Sequence, residues 1–272
     1  MKKNIKNKNT LKTAIILCGG KGTRLGSLGK KIPKTLVKIQ GKEILWYIIK
    51  TLKLYNFNHF IIPLGYKGSL IKKFFIRNKD LNSNVTLINT GINTNIGKRI
   101  SQSVNQIKSD NFLLLNGDAI FDFNVEKIFN KHTKKNLGIS FISGEITYQY
   151  GTVGILDGKV VDFKRNIIYE SLKTRKSKKY TAFNYTGMCI IKKDLINKYK
   201  KKCENSKNFE QEIFPKFISS SNSDMFKING FWHSVDNVKD IQAVNEIKLK
   251  DKRFIYIKKI KNKLNIFNNA QN

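Results

Sequence analysis

The residues best suited to chemistry begin close to the N-terminus, in Gly19-Gly20-Lys21-Gly22-Thr23-Arg24. Closely spaced glycines allow positive φ and let main-chain N–H groups face one direction. Such a nest of amides binds phosphate oxygens. Arg24 closes the run, and Lys34 follows in Lys30-Lys31-Ile32-Pro33-Lys34. A guanidinium and an ammonium beside a phosphate nest make a clamp for a polyanion. Pro33 restricts the backbone on the N-terminal side of Lys34 to extended conformations. Three uses of the glycines compete. A dinucleotide fold asks for GxGxxG, whose third glycine is here Leu25; a P-loop asks for GxxxxGK[ST], which is absent; a plain structural turn needs neither.

Two carboxylates extend the set. Asp118 follows an apolar run in Asn116-Gly117-Asp118. A carboxylate at the end of a strand, over the same edge as the glycine loop, suits Mg²⁺, which takes oxygen ligands and bridges to substrate phosphates. Asp236 precedes a helical stretch, so it is either a second metal ligand or an N-cap. Asp122 reads as a turn residue with no catalytic role. Asp118-Ala119-Ile120 is not a DxD motif, which weakens a sugar-transferring glycosyltransferase reading.

The elements that must position these residues follow from periodicity. Thr13–Cys18, Phe60–Leu64, Val85–Ile88 and Asn111–Leu115 are short, apolar and continuous, as buried strands are. Pro63 suggests the end of the second of them. Gly41–Leu54, Ser69–Ile76 and Ile96–Ile107 carry helical spacing. This alternation predicts an α/β fold, Rossmann-like, with a mostly parallel sheet covered on both faces. The second half predicts a smaller mixed β region: strands at Gly138–Ile142, Thr152–Leu156, Val160–Phe163, Asn184–Ile191 and Asp224–Ile228, with Asp157-Gly158 as a hairpin turn. Helices are expected at Phe209–Phe217 and Asn237–Lys248. The simplest organisation is a basic extension (1–12), one domain (13–250) and a tail (251–272). The tail segment Phe254–Phe267 alternates apolar and basic residues and reads equally as strand, helix or oligomer contact.

Gly-Gly-x-Gly-Thr-Arg with a Pro-Lys shortly after resembles the opening of the sugar-1-phosphate nucleotidyltransferases, and the resemblance runs from about Thr13 to Lys248. It implies a pyrophosphate-releasing transfer from a nucleoside triphosphate to a sugar 1-phosphate. Leu17, Gly19, Gly20, Gly22 and Thr23 would then bind the nucleotide, and Arg24 and Lys34 would be catalytic contacts to phosphate. Asp118 and Asp236 would bind Mg²⁺. Thr90-Gly91, Thr94 and Gly97-Lys98-Arg99 look most like the glucose-1-phosphate cytidylyltransferases, which favours CTP. There Thr90, Gly97 and Arg99 would face the base, with Gly97 admitting it to the backbone and Arg99 donating to a cytosine carbonyl or to phosphate. Tyr150-Gly151-Thr152-Val153 and Asn184-x-x-Gly187 resemble the sugar-facing segments, implying Gly151 and Asn184 as sugar contacts. Where the family has Glu-Lys-Pro after Phe, this chain has Phe163-Lys164-Arg165-Asn166; Arg165 takes the lysine's place and Lys164 replaces the glutamate. Rival readings are a mannose- or heptose-1-phosphate guanylyltransferase and a catalytically inactive nucleotide-sugar-binding homologue.

Composition bounds the remaining classes. The chain is 40% apolar, which predicts a globular core. Its formal charge of +33 suggests nucleic acid as a partner, but the lysines form no single stripe and aromatics are not interleaved with them. The field draws in anionic substrates instead. Three dispersed cysteines make no CxxC pair, and the apolar stretch Ala14–Cys18 is too short for a signal or membrane segment. A cytoplasmic enzyme with neither nucleic-acid nor membrane partner is expected; a homo-oligomer is left open.

Overall fold

The computed structural model describes residues 11–20, 25–148, 152–165, 167–169, 171–173 and 181–246. In chain order the first half holds β1 (Thr13–Leu17), α1 (Gly26–Lys31), β2 (Lys38–Ile39), β3 (Lys42–Glu43), α2 (Ile44–Leu54), β4 (His59–Leu64), α3 (Gly68–Arg77), α4 (Lys79–Asn82), β5 (Val85–Asn89), α5 (Ile96–Val104) and β6 (Asn111–Asn116). Then come β7 (Ala119–Asp122), α6 (Val125–Lys134), β8 (Ile139–Ser143), β9 (Ile146–Tyr148), β10 (Thr152–Leu156), β11 (Lys159–Lys164), β12 (Ile167–Tyr169), β13 (Ser171–Lys173), β14 (Thr181–Phe183) and β15 (Tyr185–Lys192). The described chain ends with α7 (Lys193–Lys198), α8 (Lys200–Asn205), α9 (Phe209–Ser220), β16 (Ser223–Lys227), β17 (Phe231–Ser234) and α10 (Val238–Glu246).

The central sheet has the order β16-β8-β15-β6-β1-β4-β5. Every neighbouring pair is parallel except the two made by β15. This is the mostly parallel α/β sheet that the strand–helix alternation predicts. Its strands read as continuous apolar runs because both faces are covered. Alternate residues enter opposite layers: Ala14 and Ile16 join the core that holds α2 and α3, while Ile15 joins the one that holds α5 and α9. Phe60/Ile62 against Ile61, and Leu113/Leu115 against Phe112/Leu114, divide the same way.

Pro63 does not end its strand. It stays paired in register with Ile88 of β5, and the β1 ladder has already stopped at Ile61, so the missing N–H costs nothing on that side. Because β1, β4, β5 and β6 are parallel, their carboxyl ends share one edge, and β15, running the other way, brings Asn184 to it. Chain order reverses around β1, and ligands of open α/β sheets sit at such a switch point. Among the described residues no helix is long and apolar enough to cross a membrane.

Candidate active site

Asp118, Asp236 and Lys34 meet over this edge. Asp118 is set by a tight junction at the end of β6: Gly117 N–H donates to the Leu17 carbonyl at 3.0 Å. A Cβ on Gly117 would lie 2.6 Å from Thr35 Cγ2 and 2.9 Å from that carbonyl, so the position takes glycine. Past Asp118 the chain enters β7, whose antiparallel partner is β17, with Ser234 opposite Ala119. Val235 N–H then donates to the Asp118 carbonyl at 2.8 Å, which draws Asp236 alongside.

Asp236 is not the cap of the helix that follows it. Asn237 accepts from Asp240 N–H at 3.1 Å, and the Asp240 carboxylate accepts from the N–H groups of Asp236 (2.7 Å) and Asn237 (2.9 Å). That reciprocal pattern is a capping box. It holds the Asp236 main chain and leaves its carboxylate for other work. Lys34 comes from the opposite side. Pro33 is extended (φ −61°, ψ 146°), and Lys34 opens one turn of 3₁₀ helix ending at Leu36. Its ammonium donates to Asp118 Oδ2 at 2.8 Å and to Asp236 Oδ1 at 2.7 Å.

Two carboxylates facing one cationic point are what a divalent ion needs when it completes its shell with phosphate oxygens and water. Among the described residues no group of three or more His, Cys, Asp or Glu gathers elsewhere as a rival. Cys18 lies buried under this junction, and burial pushes its thiol up to about 12, so it offers no nucleophile. Glu210, in the first turn of α9, belongs to the same electrostatic neighbourhood: desolvation, and after it the charge of Asp118, raises its carboxyl above the usual range. No local motif marks Glu210 in the sequence; only the packing of α9 against β15 brings it near.

The ends of β4 and β5 are organised by Arg99. Its side chain is buried, and it donates to the carbonyls of Leu64 (3.1 Å), Ile92 (3.1 Å) and Thr94 (3.1 Å) and to Thr90 Oγ1 (2.5 Å). Thr90 Oγ1 in turn donates to the Leu64 carbonyl at 2.7 Å. A Cβ on Gly19 would come within 2.9 Å of the guanidinium carbon, and one on Gly65 within 2.4 Å of a guanidinium nitrogen. One buried cation thus ties the ends of β1, β4 and β5 together. Four of the five N–H donors of Arg99 and the hydroxyl of Thr90 bond to the chain, and these bonds shape the 90–94 turn. The open side of Gly97 faces α8, where an added Cβ would overlap the Cys203 carbonyl, so the close packing of α5 on α8 needs a glycine here.

Leu17, Gly19 and Gly20 lie at the switch point, with Gly20 exposed and no atom of the described residues near its open side. Gly22, Thr23 and Arg24 fall outside the described residues, as does Gly151. Asn184 sits at the start of β15 with its amide nitrogen buried and without a partner among the described residues. Arg165 is exposed at the end of β11. Lys164 pairs with Asp162 on its own strand at 2.9 Å.

The description "Nucleotidyl transferase" names a family model that matches residues 13–251. The chain belongs to this family. The nucleotidyltransferase is 28% identical over 254 residues to a probable glucose-1-phosphate cytidylyltransferase of Bacillus subtilis, covering 86% of this chain and 95% of that one. It is 28% identical over 253 residues to the glucose-1-phosphate cytidylyltransferase of Salmonella typhimurium (84% and 92%). A D-glycero-alpha-D-manno-heptose 1-phosphate guanylyltransferase of Campylobacter jejuni is 29% identical over 187 residues (68% and 78%). The fold is that of HddC from Yersinia pseudotuberculosis, with a TM-score of 0.64 at 23% identity, over 87% of this chain and 99% of that one.

Proposed function

We propose that this nucleotidyltransferase joins a nucleoside triphosphate to a sugar 1-phosphate with release of pyrophosphate, with CTP and glucose 1-phosphate as the favoured pair. The observation that carries the reading is the meeting of Lys34 with Asp118 and Asp236, three residues remote in sequence, at the carboxyl edge where β1 delivers its glycines. The two relatives that cover more than nine-tenths of their own length support the choice of base and sugar.

The transfer needs no protein nucleophile. A sugar phosphate oxygen attacks the α-phosphorus, and the bond from that phosphorus to the bridging oxygen breaks, so pyrophosphate leaves with its electron pair. The chain contributes position and charge. The glycine amides and Arg24 hold the triphosphate, Lys34 neutralises charge at the reacting phosphate, and Asn184 donates to a sugar hydroxyl. Asp118 and Asp236 would hold Mg²⁺, which when bound offsets the repulsion between the two phosphorylated substrates. The 90–94 turn, fixed by Arg99, frames the base.

Pyrophosphate release measured for CTP, UTP, dTTP, GTP and ATP against several sugar 1-phosphates tests the reading. Highest kcat/KM with CTP and glucose 1-phosphate is expected. Preference for GTP with a mannose or heptose 1-phosphate would move the enzyme to the guanylyltransferase reading. Binding of nucleotide with no turnover on any pair would make it an inactive homologue.

A further inference from the structure

A cleft of about 510 Å³ lies behind the turn that carries Lys34, between that turn, the β2–β3 hairpin and α3. Small-molecule sites span roughly 300–1,000 Å³. Local sequence builds both of its walls. The Lys34 ammonium is held by Asp118 and Asp236, while Ile32 and Leu36, two residues away on either side, line the cleft. On α3, Ile71, Phe74 and Phe75 are buried in the core. Leu70, Lys73, Ile76 and Arg77, spaced three and four apart, face the cleft instead.

The lining combines two chemistries. Ile32, Leu36, Leu70 and Ile76 are aliphatic. Lys38, Lys73 and Arg77 are cationic, and none of them makes an ion pair with another described residue. Glu43, the one acid of the lining, stands opposite Lys38 in the β2–β3 ladder. That leaves Lys73 and Arg77, like charges one helical turn apart, which repel until an anion joins them. We infer that this cleft binds a free amphiphilic anion, with an aliphatic body against Ile32, Leu36, Leu70 and Ile76 and a carboxylate or phosphate head held by Lys73 and Arg77. Other occupants match the lining less well. A nucleobase finds no aromatic ring to stack on, and sugar hydroxyls find a single carboxylate. A flat bilayer does not reach the floor, because Leu36 is buried and Ile32 and Leu70 are partly buried.

Isothermal titration calorimetry of the full chain with sodium decanoate, kept below its micelle concentration, tests this. Saturable binding of about one decanoate per chain is expected. Butyrate keeps the head without the body, and decyltrimethylammonium keeps the body with the opposite charge; both should bind at least tenfold more weakly. Lys73→Glu combined with Arg77→Glu, and separately Ile76→Asp, should weaken decanoate binding at least tenfold. These positions are exposed, so thermal midpoints should stay near wild type. Lys72→Glu makes the same kind of charge change on the exposed side of α3, outside the cleft. It should leave binding within twofold, which separates a site from the general pull of a chain carrying +33. Excess CTP should leave decanoate bound, because Asp118 and Asp236 lie on the other side of the turn from the cleft. The inference is overturned if decanoate binds without saturation or not at all, if the cleft variants bind it like wild type, or if Lys72→Glu weakens it as much as they do. It is equally overturned by displacement with CTP, or by binding to phosphatidylglycerol vesicles and not to monomeric decanoate, which would make the cleft a membrane contact.

Discussion

Replacing Lys34 with methionine keeps an unbranched apolar stem, one heavy atom shorter, and removes the charge that two carboxylates share. The Lys34 side chain is 15% exposed, and those of Asp118 and Asp236 are 29% and 31% exposed. This places the pair of contacts between solvent-screened ion pairs, worth about 0.2–1 kcal/mol each, and buried ones, whose disruption costs about 3–5 kcal/mol. A loss of roughly 2 kcal/mol is expected without metal, and at about 2–4 °C per kcal/mol for a domain of this size the midpoint should fall by roughly 4–8 °C. The two carboxylates then lose the positive charge that they share, and an incoming cation has no ammonium to displace. Magnesium should therefore recover stability in Lys34→Met more than in wild type, by about 1.4 kcal/mol at ten times its Kd. Turnover should not recover, because the lost charge acts on the reacting phosphate; a fall of about 10²–10³ is expected. Differential scanning fluorimetry in EDTA and in excess magnesium chloride, paired with a pyrophosphate-release assay, reads both effects. Turnover within about threefold of wild type, or a midpoint that ignores magnesium in the variant, would refute the shared-charge argument.

Other consequences follow from neighbouring contacts. Asp240→Asn removes the charged half of the capping box that fixes Asp236; we expect about 1 kcal/mol of destabilisation and a weaker magnesium dependence in the activity assay. Gly65→Ala puts a Cβ against a guanidinium held by four hydrogen bonds; about 1–3 kcal/mol of overpacking cost is expected, with KM for the nucleotide raised more than kcat is lowered. His132 is buried between Ser140 and Asn111, and burial lowers it from 6.5 to about 4. The unfolded chain takes up this proton near pH 6.5 and the folded chain only near 4, so the unfolded state gains protons first and stability falls as pH drops through that window. From pH 7 to pH 5 the loss is about 2 kcal/mol. Urea unfolding across this range should show it, and a His132→Gln variant should show a flatter profile.

Much of this architecture was legible in the chain because it is written in local pattern. The runs at 13–18, 60–64, 85–88 and 111–115 are strands since a sheet covered on both faces needs unbroken apolar sequence. The glycine–arginine–lysine wording and the two aspartates stood out because phosphate and metal chemistry restricts residue type. Hidden features depend on pairing between distant segments. Ala119–Asp122 and Phe231–Ser234 are four residues long and mean nothing until they pair with each other, yet that pairing sets Asp236 beside Asp118. Glu210 reaches the site only because α9 packs on β15. Arg99 is the most instructive case. The sequence marks it as a basic residue near a turn that the family resemblance assigns to the base, and both a ligand contact and a buried brace satisfy that description. What reveals the brace is the pair of glycines, Gly19 and Gly65, at the ends of two other strands, whose missing side chains make the room that the guanidinium fills. The residues that reveal it are spread over three strand ends, and only the parallel sheet brings them within reach of one side chain.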